Sequence, residues 1–474
     1  MSTLSLNTSD SLALDLPRCE LSRGGSFAFL ALITLLAAPV FIMPLSESWV
    51  HSTYENYDNS IDEAESSVRE GTFSRQIALG GLGLFGLGAM AWPGGKRVRM
   101  GSVVGILGIT YIVWCFATCL WSDEPGISLR RCVALLCEVV AGLAIARRTS
   151  GRQFVWFVMV CTLAWFGLGL LAELSLGTFR PFSAGHRFAG VFHPNMMGVN
   201  VALLALAAYY LATTGDRRQR TVIAIGVIAI TFLMLTRSRT SVAAMLLAVV
   251  TMWFFTVPTA RKIGYSLSMT IVAVVIAMSV ALGAFQLSTK SLSMGRNDNE
   301  MSSFTGRVPL WQELLHDYVP DMAMLGYGYG AFWSADRIAE ISKSQNWVTT
   351  HAHSTYLDLV LNVGYVGVAL CLAVMVSALA ASLRREVSRP GAGFGFVATL
   401  IVFGLASGAL ETYIGHTWFL TFFGICGVCY LLFDDEPEGD EEARRDVPSY
   451  PLSTARPIAL ARLGLSQPVM GNGD

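Results

Sequence analysis

Charge is scarce in this sequence: acidic and basic residues together fill 14% of 474 positions, against roughly 25% in an ordinary soluble domain. Hydrophobic residues fill 53%, so the chain lacks the polar surface that a soluble globule of this size needs. The charges that do occur are bunched between long apolar runs, many near the roughly 18–20 residues that cross a bilayer core. Continuous apolar runs satisfy their backbone there as helices. A basic tract is also missing and the net charge is −1, which leaves nothing to attract nucleic acid. A disulfide or metal framework is missing too. The nine cysteines are odd in number, and all but Cys19 sit in apolar runs, where they read as small packing residues. Cys426 and Cys429 have CxxC spacing inside such a run, and that context argues for packing as well. The first apolar run, 26–45, lacks an A-x-A exit and reads as an uncleaved span. No internal repeat is visible, whereas many transporters are built from repeats.

The expected fold class is therefore all-α: a polytopic integral membrane protein with about 12 transmembrane helices and one large extracytoplasmic loop. Spans are expected to begin near Ser26, Gln76, Gly101, Ser128, Gln153, Asn195, Thr221, Thr240, Gly264, Ser354, Gly393 and His416. Each even-numbered span is followed by basic residues: Lys96, Arg97 and Arg99; Arg147, Arg148 and Arg152; Arg217, Arg218 and Arg220; Arg261 and Lys262; Arg384, Arg385 and Arg389. Cytoplasmic loops carry the excess of Lys and Arg, so these loops and both termini are expected in the cytoplasm. The division follows: 1–25 a cytoplasmic tail, 26–286 nine helices, 287–352 the large outer loop, 353–433 three helices, and 434–474 a disordered acidic cytoplasmic tail. A loop as long as 287–352 is uncommon unless it folds and works.

The outer face should be poor in arginine. Yet Arg130 and Arg131, Arg180 and Arg187, Arg237 and Arg239, and Arg307 all fall at that level. An isolated arginine at a helix end only snorkels to headgroups. Several from separated segments suggest an anion site, and the planar guanidinium fork suits phosphate. Glu173, Asp358 and Glu411 lie at the same level, and Ser354, Asp358 and Asn362 stripe one face of a helix. Glu138 falls nearer the middle of its span, where a helix–helix hydrogen bond or a proton relay are both open readings. His193-Pro194-Asn195 reads as a helix start, since proline is welcome at the first helical position; capping and function are both open for it. His353 stands where the large loop meets the polar stripe, with His351 as a rival two residues earlier. Gly326-Tyr327-Gly328-Tyr329-Gly330 has no strand before it, so it is not read as a nucleotide loop. Residues 309–318 read as a short amphipathic helix with Trp311, Leu314 and Leu315 on one side.

Several segments carry a family resemblance. Trp121-Ser122-Asp123-Glu124-Pro125 with Arg130 and Arg131, and Arg187-Phe188-Ala189-Gly190-Val191-Phe192-His193-Pro194-Asn195, resemble the O-antigen ligase and polysaccharide polymerase superfamily. So do Ser238-Arg239-Thr240, Gly306-Arg307 with Leu310-Trp311, Gly326-Tyr327-Gly328, and His353-Ser354-Thr355-Tyr356-Leu357 through Gly364. Ser354 stands where asparagine is common, and Asn362 where glutamate is common. The resemblance implies a membrane glycosyl transferase that works at the periplasmic face of the bacterial inner membrane. Its donor would be a glycan on undecaprenyl diphosphate, and its acceptor a saccharide or lipid A-core. It would need no metal ion and no cofactor, and would invert the anomeric carbon.

In that frame Arg187, Arg239 and Arg307 are expected to hold the diphosphate, with Arg130 and Arg131 as a second tier. His193, Asn195 and Asp358 are expected to contact substrate, and His353 to take the acceptor proton, because histidine titrates in the right range. A second class of function is a lipid-linked glycan flippase or other transporter, which calls for titratable groups near the midplane and for symmetry between halves. A third reading places a divalent cation on Asp62 and Glu63. The charge asymmetry predicts that reporter fusions after Ser293 and after Arg218 give signals on opposite sides of the membrane; the same side for both would overturn the topology.

Overall fold

The computed structural model describes residues 68, 73–93, 95–183, 186–215, 218–256, 306–413 and 418–433. These are helices joined by loops, with one antiparallel bridge between Val98 and Phe433. In chain order they are α1 (Phe73–Ala91), α2 (Val103–Ala117), α3 (Pro125–Arg148), α4 (Gly151–Ser175), α5 (Pro194–Thr213) and α6 (Gln219–Thr236). There follow α7 (Arg239–Thr256), α8 (Arg307–Glu313), α9 (Ala335–Gln345), α10 (Thr355–Ser388), α11 (Phe394–Ser407) and α12 (Phe419–Tyr430). Helices occur at the expected positions from Gln76 to Thr240 and from Ser354 onward. The expected spans at 26–45 and from Gly264, His416, Asp62, Glu63, Arg217 and the tail 434–474 lie outside the described residues. Five described helices are long and apolar enough to cross a membrane, and α7, α11 and α12 are shorter apolar helices.

Local sequence sets several helix ends. Pro125 opens α3 at a position where its missing N–H costs nothing. Ser150 and Gln153 form a reciprocal capping box at the start of α4. Helix α5 is apolar on nearly every side and runs buried against α4, α6, α7 and α11. By contrast α2 and α6 expose Val103, Ile106, Ile109 and Val113, and Ile223, Val227, Ile228 and Ile230; this is the arrangement of helices that face lipid. At the C-terminal ends of α3 and α10, basic side chains take up orphan carbonyls. Arg147 donates to the Met90 carbonyl (2.6 Å), Arg148 to Ala89 (2.9 Å), and Arg385 to Leu431 (2.8 Å). Cations there also match the negative end of the helix dipole.

Helix α10 is broken at Gly364 (φ 67°, ψ 179°). The glycine-rich segment that follows α8 closes the wound. The Tyr327 and Gly328 N–H groups donate to the Leu361 and Asn362 carbonyls (2.8 and 2.9 Å), and the Trp114 indole donates to Val363 (3.0 Å). Beyond the break, the Tyr365 N–H donates to Ala323 (2.8 Å). Broken helices persist in a membrane only where such partners satisfy the freed groups. Here the partners are a strap of the chain itself, which takes up the carbonyls freed at the break. The glycine segment is thus a structural strap: Gly326, Gly328 and Gly330 all have positive φ (71°, 111° and 69°).

The amphipathic segment 309–318 departs from expectation in one respect. Leu310 and Leu314 are buried and Trp311 donates to the Ala352 carbonyl (2.7 Å), but Leu315 is half exposed. The backbone widens to a π-turn over Leu314–Tyr318, which rotates Leu315 off the face that Trp311 covers.

A Cβ at Gly326 would meet the Asn362 carbonyl carbon and the Val363 and Gly364 nitrogens at 2.5 Å. Gly326→Ala is therefore expected to cost at least roughly 1–2 kcal/mol from the left-handed backbone, with the clash adding to it. Thermal unfolding in detergent should show the loss; a wild-type melting temperature would deny the strap its role.

Candidate active site

The starts of α5, α8 and α10 and the turn after α11 converge, and a carboxylate joins them. Glu411 accepts from Arg307 Nη2 (2.7 Å) and from Asn195 Nδ2 (2.7 Å), both on Oε1. The amide oxygen of Asn195 in turn accepts from Arg187 Nη2 (2.6 Å), and Arg187 Nε donates to the Thr236 carbonyl (3.0 Å). On the other side of the carboxylate, Glu411 Oε2 lies 3.8 Å from His353 Nδ1. Four residues that sequence singled out, Arg187, Asn195, Arg307 and His353, thus meet around one that it left without a role.

Each arm is positioned by local structure. The turn carrying Glu411 wraps onto the first residue of α10: Thr355 N–H donates to the Gly408 carbonyl (2.8 Å), Thr355 Oγ1 donates to Glu411 O (3.0 Å), and Tyr413 N–H donates to Thr355 Oγ1 (2.9 Å). Asn195 sits in the first turn of α5, where Pro194 opens the helix and His193 Nδ1 accepts from the Asn195 N–H (3.3 Å). Glu173, at the end of α4, accepts from the Ala189 and Gly190 N–H groups (2.8 and 2.9 Å), which fixes the loop that carries Arg187. His353 has φ 51°, a left-handed conformation uncommon outside glycine, asparagine, aspartate and histidine and often found at functional sites. The rings of His351 and Trp347 flank it, with centroids 4.0 and 5.4 Å away.

Electrostatics follow from this packing. Burial alone would push the Glu411 carboxyl up, but Arg307 beside it and His353 hold it at about 2. Desolvation among its neighbours, although the residue keeps an exposed surface, and the Arg187 guanidinium push His193 down to about 4, against the pull of Glu411. His193 is therefore neutral near pH 7 and a weak base, which suits the capping role its Nδ1 plays.

The remaining sequence candidates lie elsewhere in the structure. Asp358 is enclosed by donors: Trp333 Nε1 (2.7 Å), the Ala352 N–H (3.1 Å to each oxygen) and the Thr412 hydroxyl. The carboxylate closest in role to His353 is thus Glu411, while Asp358 ties α10 to the strap and to the residue before His353. Arg130 donates to the Val68 carbonyl (2.7 Å), and Arg131 packs its side chain under Gly330. Arg239 opens α7 two residues after Arg237, which ends α6 in a left-handed turn (φ 52°). Asn362 donates to the Asp358 carbonyl (2.7 Å) and accepts from the Phe332 N–H (3.2 Å). Among the described residues no three His, Cys, Asp or Glu side chains are grouped to hold a metal ion. Sequence reasoning noticed Glu411 as an acidic helix end but had no signal that the helix starts at Asn195 and Arg307 would meet there.

A multi-pass helical membrane protein with a polar site at one end of its bundle is the class this geometry defines. Residues 224–372 match the family model described as O-antigen ligase. The exopolysaccharide production protein ExoQ of Rhizobium meliloti (strain 1021) is 27% identical over 309 residues, which cover 62% of this chain and 68% of that protein. The two matches support the O-antigen ligase and polysaccharide polymerase superfamily and a membrane protein of surface polysaccharide biosynthesis. The matched family interval contains Arg239, Arg307, His353 and Asp358, whereas Arg187, His193, Asn195 and Glu411 fall outside it.

Because Glu411 is buried and charged, removing its cation should be costly. Arg307→Met is expected to destabilise the folded protein by roughly 3–5 kcal/mol, and the double variant with Glu411→Gln to recover much of it. Equal melting temperatures for wild type and Arg307→Met would show that the pair is not maintained.

Proposed function

We propose that this chain is a membrane glycosyl transferase that moves a glycan from undecaprenyl diphosphate to a saccharide acceptor at the periplasmic face of the inner membrane. The observation that carries the reading is the linkage of Arg187, Asn195, Glu411 and Arg307 with His353 beside it. The name of the Rhizobium meliloti relative favours a growing exopolysaccharide over lipid A-core as the acceptor.

In this reading the acceptor hydroxyl oxygen attacks the anomeric carbon from the face opposite the diphosphate, the C1–O bond to the diphosphate breaks, and the configuration inverts. The proton of the hydroxyl passes to His353, and the electron pair leaves on the diphosphate. Charge gathers on that leaving group in the transition state, so guanidinium groups already in place lower the barrier without reorganising. Arg307 spends one of its five N–H donors on Glu411. Arg187, whose Nη2 and Nε already serve Asn195 and the Thr236 carbonyl, brings a second guanidinium, and in this reading Arg239, Arg130 and Arg131 are the further arginines assigned to the diphosphate. The positive charge that a metal ion would bring to the diphosphate comes here from arginine, so the reaction is proposed to run without one.

His353→Ala is expected to lower turnover of lipid-linked donor by about 10²-fold or more, and His353→Gln to do nearly the same because it cannot carry a proton. Near-normal turnover by His353→Gln at wild-type abundance would remove the base assignment. Replacing Arg187 or Arg307 with lysine keeps charge but loses the fork, so both variants should lose activity. A chelator should leave wild-type activity intact; loss with rescue by magnesium or manganese would favour Asp62 and Glu63. In liposomes, glycan mass should grow on the acceptor; movement of labelled lipid with no change in glycan mass would favour a flippase.

A further inference from the structure

We propose that Glu411 is the positioning residue for His353, holding its ring so that the opposite nitrogen faces the acceptor hydroxyl. The inference rests on the reading of His353 as the base.

Three observations carry it. Glu411 divides its two oxygens between tasks: Oε1 takes Arg307 and Asn195, while Oε2 is directed to His353 Nδ1 at 3.8 Å. That separation is beyond a direct hydrogen bond, and the acceptor-bound state would shorten it or bridge it by water, as catalytic contacts commonly tighten when substrate binds. The His353 side chain keeps 19% of its surface exposed and Glu411 only 9%, so the imidazole is the more open of the two to an acceptor. Finally, the competing carboxylate is taken: Asp358 is enclosed by Trp333, Ala352 and Thr412.

The chemistry is that of a base steadied by a carboxylate. An Nδ1–H turned toward Glu411 Oε2 leaves Nε2 unprotonated, so Nε2 accepts the hydroxyl proton. The imidazolium so formed gains a counter-charge on its far side, while the carboxylate itself stays ionised. Arg307 and Asn195 keep that carboxylate from swinging away. One buried group thereby couples the base to an arginine assigned to the diphosphate.

The test is the pH profile of glycan transfer by full-length protein in nanodiscs, with lipid-linked donor and saccharide acceptor. For Glu411→Gln, kcat is expected to fall about 10-fold or more; because the same carboxylate holds Arg307, a rise in donor KM with kcat unchanged would instead assign Glu411 to donor binding alone and overturn the positioning role. The acid limb of kcat/KM should move to lower pH, because the imidazolium loses its counter-charge. The other groups facing this pair are Arg307 and His193 at the helix starts, Arg187 from the loop before α5, His351 from the loop before α10, Asp358 from α10 itself, and Tyr413 from Glu411's own turn. Tyr413→Phe removes no charge near pH 7 and should leave the same limb in place. Glu411→Asp retains the charge and the Arg307 pairing, and is expected to keep normal abundance with an intermediate kcat. It serves as the deciding variant if Glu411→Gln does not fold. In the double variant Glu411→Gln/His353→Gln the losses should not add, as for residues that act as a unit.

Wild-type kcat and acid limb in Glu411→Gln, or a wild-type kcat in Glu411→Asp where only that variant folds, would overturn the positioning role while the transferase reading stands on an inactive His353→Ala. Near-normal transfer by His353→Ala would instead overturn the base assignment, and this inference with it.

Discussion

Glu411 has to be charged and dry at once, and the rest of the site follows from how the chain arranges that. A carboxylate at a buried helix end is stable as an anion only when cations and donors converge on it closely enough to offset lost hydration. Arg307 and Asn195 both converge within 2.7 Å. Each comes from the first turn of a helix remote in sequence. Asn195 is fixed by the Pro194 helix start and by the Arg187 fork, and Arg187 by the loop that Glu173 clasps through two backbone N–H groups. The anion therefore joins the starts of α5 and α8 to the turn after α11.

A second carboxylate solves a different problem nearby. Asp358 gathers the Trp333 indole, the Ala352 N–H and the Thr412 hydroxyl, so it binds the strap, the residue before His353 and the turn carrying Glu411 to one helix. Below it the broken helix hands its carbonyls to Tyr327 and Gly328. The effect is to set the backbone on both sides of His353. A left-handed histidine at φ 51° persists only when its surroundings over-determine it, and the Asp358 knot supplies that determination. Orientation of the imidazole is thus shared between a knot that fixes the backbone and a carboxylate that faces the ring.

Much of the fold could be read from the sequence because membrane helices announce themselves one at a time. An apolar run long enough to span, closed by Arg147 and Arg148 or by Arg384 and Arg385, needs no knowledge of its neighbours. The arginines and His353 were also legible, since a cation or imidazole at an apolar boundary stands out against its surroundings. Partnership was not legible. Nothing local distinguishes Glu411, which organises the site, from Asp358, which organises the backbone; the difference lies in contacts to Arg307 and Asn195 across 104 and 216 residues. The polar stripe of Ser354, Asp358 and Asn362 is buried as its spacing implies, but the stripe could not reveal that Asn362 serves a helix break. Nor could the glycines at 326, 328 and 330 show that their partner was the backbone around Gly364.

The two ends of the bundle use the same side chain for opposite reasons. Arg147, Arg148 and Arg385 lie in the last turns of α3 and α10, donate to backbone carbonyls and sit where the helix dipole is negative. Each gains from its place, by about 0.3–1 kcal/mol for the dipole alone. Arg239 and Arg307 instead occupy the first residues of α7 and α8, where the dipole is positive and a cation is disfavoured by a similar amount. Folding alone would put acidic or small polar residues there. At Arg307 the chain meets that cost with Glu411, whose Oε1 lies 2.7 Å from the guanidinium, so the ion pair rather than the helix end sets the charge there.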